Sequence, residues 1–121
     1  ETVGYLIKGD LKSALFLPDI DKWEKWDKKI EDFIKNVDYA FIDGTFYNGK
    51  EIPHRNMNEI PHPFVIETLE RLKKLKKKHK KKVYFIHLNH TNPLLKPNSE
   101  ITKEIIKRGY NIARTGMKFD L

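Results

Sequence analysis

The chain has 121 residues, 39% hydrophobic and 34% charged, with 24 Lys and Arg against 17 Asp and Glu for a net charge of +7. That is the balance of one globular domain with one modest core, and no apolar run approaches the roughly 20 residues of a membrane span. The chain contains no cysteine, which excludes disulfides, thiolate metal sites and a cysteine nucleophile but leaves the compartment open.

The chain opens at Glu1 rather than Met and enters the apolar stretch Val3-Gly4-Tyr5-Leu6-Ile7 within two residues. Sequence upstream of Glu1 is therefore expected to be missing, and nothing in the chain reads as a signal peptide. Tyr5–Lys8 and Ser13–Leu17 read as strands joined at Gly9-Asp10, a hairpin pattern. A helix follows: Asp21 with Glu24 three residues on resembles a capping box, and Trp23, Trp26, Ile30, Phe33 and Ile34 fall on one face. Both tryptophans are read as core.

Residues 39–42 form a short apolar strand, and residues 44–61 a long polar loop holding Asn48-Gly49, Pro53, His54 and Arg55. Loops of that length are often functional or mobile. Pro63 suits the first turn of a helix with Val65, Leu69, Leu72 and Leu75 at helical spacing. The lysines between Lys73 and Lys82 are read as its last turn and exit, where cations complement the helix dipole. A solvated helix end is favoured over a phosphate-binding patch, and since no aromatic residues interleave with the lysines, a single-strand stacking platform is not supported. Residues 83–88 form another apolar strand, and a helix from about Ser99 ends at Gly109, a natural left-handed cap. Ile112-Ala113 and residues 117–119 are expected as short closing strands.

Alternating strands and helices predict an α/β fold in which helices cover a sheet. Three apolar runs end in residues able to bind metal or move a proton: Asp19, Asp43 and His87. In such sheets the strand exits are where ligands gather. Asp19 could equally make an Asx turn, and Asp43-Gly44 is a turn signal in its own right. An imidazole at the end of a buried strand needs partners for both nitrogens, which marks His87 as a ligand or base. No two histidines have the i, i+2 or i, i+4 spacing of a zinc motif, so spacing alone gives no complete metal site.

The stretches Asp38-Tyr39-Ala40-Phe41-Ile42-Asp43-Gly44-Thr45-Phe46, Glu59-Ile60-Pro61-His62-Pro63 and Ile86-His87-Leu88-Asn89-His90-Thr91-Asn92-Pro93 carry a resemblance. Together they resemble the C-terminal half of a metallo-β-lactamase-superfamily hydrolase, in the branch related to pyrroloquinoline quinone biosynthesis protein B. The resemblance implies that residues 1–121 form half of an αββα sandwich, a mixed sheet covered by helices on one face, and that the N-terminal half, with its His-x-His-x-Asp-His motif, is absent from this chain. It implies two divalent metal ions, zinc or iron, in the full-length protein, with Asp19 and His87 among the ligands and a metal-bound hydroxide as nucleophile. Asp43 and His62 match the acidic residue and the leaving-group histidine of phosphodiesterase relatives. His90 and Asn89 are expected beside the ligands as hydrogen-bonding neighbours.

The complete protein is therefore expected to be a metal-dependent hydrolase acting on a small molecule, and this fragment alone to be inactive. Oxidative chemistry on iron uses the same ligand types. The alternatives are a non-enzymatic basic nucleic-acid-binding module and a tRNA-processing type of phosphodiesterase. The expected partner is the missing half, with pairing of two copies through the uncovered sheet face as another outcome.

Overall fold

The computed structural model describes residues 4–121; Val3, where the first apolar stretch begins, lies outside them. The chain lays down β1 (Tyr5–Lys8), β2 (Ser13–Leu17), α1 (Ile30–Asn36), β3 (Tyr39–Asp43), α2 (Val65–Leu72), α3 (Lys77–Lys80), β4 (Val83–Ile86), α4 (Glu100–Lys107) and β5 (Asn111–Ile112). The strands form one mixed sheet in chain order. β1 and β2 make the expected antiparallel hairpin, with Tyr5 opposite Phe16. Every later neighbour is parallel, which requires a crossover on one side of the sheet, and the helices supply it.

Side chains alternate across a strand, and the alternation sorts this sheet into two unlike faces. Leu15, Leu17, Ala40, Ile42, Val83, Phe85 and Ile112 are buried in one core with Ile30 and Ile34 of α1, Val65, Leu69 and Leu72 of α2, and Ile105 of α4. Burying each large aliphatic side chain contributes roughly 1.5–3 kcal/mol, so this layer holds the fold together. The opposite face carries Tyr5, Ile7, Phe16, Tyr39, Phe41 and Tyr84, and among the described residues no helix covers it. Phe119 meets Tyr39, Phe41 and Tyr84 edge-on, with ring centroids 4.9–5.0 Å apart. Tyr5, Ile7 and Phe16 stay 56%, 44% and 37% exposed.

Several local expectations are corrected. The helix expected after Asp21 is interrupted: Trp23–Lys25 is a single 3₁₀ turn, Trp26 is extended, and α1 begins only at Ile30. Asp21 accepts from the adjacent Lys22 N–H at 2.7 Å and makes no capping box. Tertiary anchors override the periodicity, because the Trp23 indole donates to Thr68 Oγ1 at 2.8 Å and Lys22 pairs with Glu67 at 2.7 Å, both on α2. Pro63 stands one residue before the helix cap Phe64, and the lysine run lies beyond α2, where Lys77–Lys80 forms a separate short helix.

The third strand-like apolar run ends at Ile86, one residue short of His87. Residues 117–119 form no strand; Gly116, at φ 90°, turns the chain across the bare face. There Leu121 O accepts from Leu11 and Lys12 N–H in the β1–β2 turn. The cap at Gly109 is as expected, at φ 104°.

Candidate active site

Parallel β2, β3 and β4 end at one edge, and the segments leaving them bring Asp19, Asp43, His62 and His87 together there. Asp43 closes β3 and is wholly buried. Its Oδ1 accepts from the Thr45 N–H at 2.9 Å and from the Thr45 hydroxyl at 2.7 Å. Its Oδ2 accepts from the Ile20 N–H at 3.2 Å and lies 2.7 Å from His62 Nδ1. The loop of residues 44–61 thus folds back over the edge, bracing itself with 3₁₀ turns at Gly49–Glu51 and Met57–Glu59.

His62 is 16% exposed and Asp19 61%, with Asp19 Oδ1 3.5 Å from His62 Nδ1. The Phe46 ring stands edge-on to the imidazole, centroids 6.1 Å apart. The Asp43 hydrogen bond raises the His62 pKa above the usual histidine value. Burial opposes the rise, the charges of Asp43 and Asp19 add to it, and Lys22 works against it.

One ligand atom from each of Asp19, Asp43 and His62 lies within 4.8 Å of the others, a candidate metal-binding group. Hydrogen bonding divides that group. A carboxylate offers about four lone-pair positions, and four donors already meet those of Asp43. With its Nδ1–H given to Asp43, His62 turns only Nε2 outward, while the exposed Asp19 carboxylate stays open.

His87 departs from expectation. It is not part of the buried strand but stands exposed just past it at φ 63°, a left-handed conformation in which histidine is enriched. Gly44 makes that exit possible: a Cβ on it would sit 3.0 Å from Phe85 Cβ and 3.2 Å from Ile86 O. The close approach sets Thr45 beside His87, with Thr45 Oγ1 3.0 Å from His87 Nδ1. The His62 and His87 rings are 6.2 Å apart. Asn89 reaches the edge through its backbone, donating to Thr45 O at 2.9 Å, while its side chain turns to Thr91. His90 is exposed.

Three residues at this edge escaped the sequence reading. Thr45 touches Asp43, His62 and His87 at once. Lys22 is only 3% exposed, paired with Glu67, its Nζ 4.5 Å from the Phe64 ring centroid. Asn92 is buried and donates to Gly44 O at 2.6 Å and Thr45 O at 3.1 Å. An Asn-Pro pair is a readable turn signal, but no pattern marks a lysine as buried. The lysine run is remote from all of these, because Lys82 precedes β4 and its carbonyl pairs with Ala40 at the opposite end of the strands.

Residues 1–88 match the family model described as the beta-lactamase superfamily domain. The chain is 26% identical to a coenzyme PQQ synthesis protein B of Gluconobacter oxydans, aligned over all of this chain and 40% of that protein. It is 30% identical to the Azotobacter vinelandii protein of the same name, over 78% of this chain and 33% of that one. The chain therefore spans about a third to two fifths of the length of these relatives. A crystal structure of zinc-bound PqqB from Methylobacterium extorquens superposes with a TM-score of 0.79 at 21% identity, covering 99% of this chain and 44% of that one. That likeness establishes the fold.

Proposed function

Because the chain belongs to the metallo-β-lactamase superfamily, we propose that its complete protein is a metal-dependent enzyme of the coenzyme PQQ synthesis protein B type. On this reading it hydrolyses a small-molecule substrate at the edge where β2, β3 and β4 end. The observation that carries the proposal is the convergence there of an open carboxylate, Asp19, and two imidazoles held by their Nδ1 atoms.

The donor set fits zinc or iron, which take imidazole nitrogen and carboxylate oxygen. Asp19 and His87 Nε2 would be the ligands from this chain, with the remaining ligands coming from the partner half of the sandwich. A divalent cation held there would supply Lewis acidity and bring the pKa of a coordinated water toward neutrality. In its charged form His62 carries a proton on Nε2 as well as on Nδ1, and Asp43 fixes its ring and favours that form. That is the arrangement of a general acid for a departing oxygen or nitrogen. Phe46 and the loop of residues 44–61 keep one side of the imidazole from water.

In the complete protein, His62→Ala is expected to lower hydrolysis of a responsive chromogenic ester or phosphodiester by about 10²–10⁴-fold with bound metal unchanged. Unaltered turnover would reduce His62 to a helix-entry residue. A metal-loaded protein that hydrolysed neither substrate type would overturn the hydrolytic assignment. The distance of the lysine run from this edge weighs against a nucleic-acid substrate that uses both.

A further inference from the structure

The Thr45 hydroxyl has one proton and several neighbours. Its Oγ1 donates to Asp43 Oδ1 at 2.7 Å, and a carboxylate there can only accept. With the proton spent, Oγ1 faces His87 Nδ1 at 3.0 Å with lone pairs alone. A contact at that distance is attractive only if His87 carries its proton on Nδ1. The neutral His87 ring then has a bare nitrogen at Nε2.

We propose that Thr45 is a positioning residue that locks neutral His87 in the Nδ1–H tautomer and so presents an unprotonated Nε2 at the strand exits. What this does for a cation rests on the metal-edge reading above; the tautomer itself does not. One buried carboxylate thus orients two imidazoles, His62 directly and His87 through a hydroxyl. A carboxylate or carbonyl behind a ligating histidine is a recurring way to fix ring and tautomer; here a threonine stands between.

The geometry explains the neighbouring residues. Gly44 allows the close approach that puts Oγ1 within reach of the ring. Asn92 clamps the Gly44 and Thr45 carbonyls and so holds the hydroxyl in place. His87, with its left-handed backbone, brings its Nδ1 to within 3.0 Å of Thr45 Oγ1, two residues past the end of β3. Serine would keep the hydroxyl; valine keeps the shape and removes the relay.

The test is long-range proton–nitrogen NMR of the metal-free, ¹⁵N-histidine-labelled protein at a pH where its imidazoles are neutral. The expected spectrum shows His87 with a pyrrole-type Nδ1 and a pyridine-type Nε2. Thr45→Ser should preserve it, and Thr45→Val should return His87 toward the Nε2–H form that histidine favours in water. His62 should keep its Nδ1–H in every variant, because Asp43 still accepts it. A pyrrole-type Nε2 on His87 in the wild type, or no change in Thr45→Val, would overturn the proposal.

In the complete protein, zinc affinity of Thr45→Val should fall by about 10–100-fold, with Thr45→Ser near wild type. A protein with the expected tautomer that takes up no zinc would refute the metal reading and leave the Thr45 assignment standing. Equal zinc affinity in the wild type and Thr45→Val would remove the role of the relay in metal binding.

Discussion

At the scale of single residues, Asp43 organises the edge, and the consequence easiest to measure is on His62. Its folded pKa is raised above the ordinary value of 6.5 mainly by the Asp43 hydrogen bond. The stabilisation from that pair is therefore fully present below the unfolded pKa and is lost as pH rises through the raised folded value. In metal-free protein, the urea midpoint of wild type relative to His62→Gln should show an advantage at about pH 6 that shrinks by about pH 9. An advantage that grew with pH would show that His62 is held neutral instead. Much of this was legible in the sequence, because Asp43, His62 and His87 stand at run ends and family positions. Thr45 was not, since a threonine after Asp-Gly reads as turn chemistry, and only the fold brings a residue 42 positions away against it. His87 was placed in a buried strand because apolar runs give no sign of where a backbone turns left-handed.

At the scale of elements, the exits of β3 and β4 are pinned by one side chain. Asn92 also accepts from the Leu94 N–H at 2.9 Å, so all its polar atoms are engaged while it is 2% exposed. Asn92→Ala would leave buried carbonyls of Gly44 and Thr45 without that donor, and is expected to cost about 1–3 kcal/mol by urea denaturation. Asn92→Asp should cost more, since it aims an acceptor at acceptors. A neutral result for both would mean that the exits are held by the sheet alone. Strands were readable because period-2 apolar runs admit few alternatives, and α4 was readable from Ser99 and Gly109. The broken helix after Asp21 was not: its apolar spacing is helical, yet Lys22 and Trp23 are claimed by Glu67 and Thr68, 45 residues away.

At the scale of the whole molecule, one sheet face is packed against helices and the other, among the described residues, is crossed only by the segment bearing Phe119. Tyr5, Ile7 and Phe16 leave an exposed apolar surface there of the kind that marks an interface once it exceeds a few hundred Å². We propose that a second half-sandwich packs on this face in the complete protein. The 121-residue chain alone is then expected to self-associate or bind a hydrophobic dye, and Phe16→Lys should reduce both. A monodisperse chain by light scattering that ignored the dye would count against the half-sandwich. The central claim, that a metal sits where β2, β3 and β4 end, is tested most directly by elemental analysis of the complete protein and its variants. Stoichiometric zinc or iron is expected in the wild type and in His62→Ala, with loss in Asp19→Ala and His87→Ala. A metal-free wild type, or full metal content in both ligand variants, would contradict it.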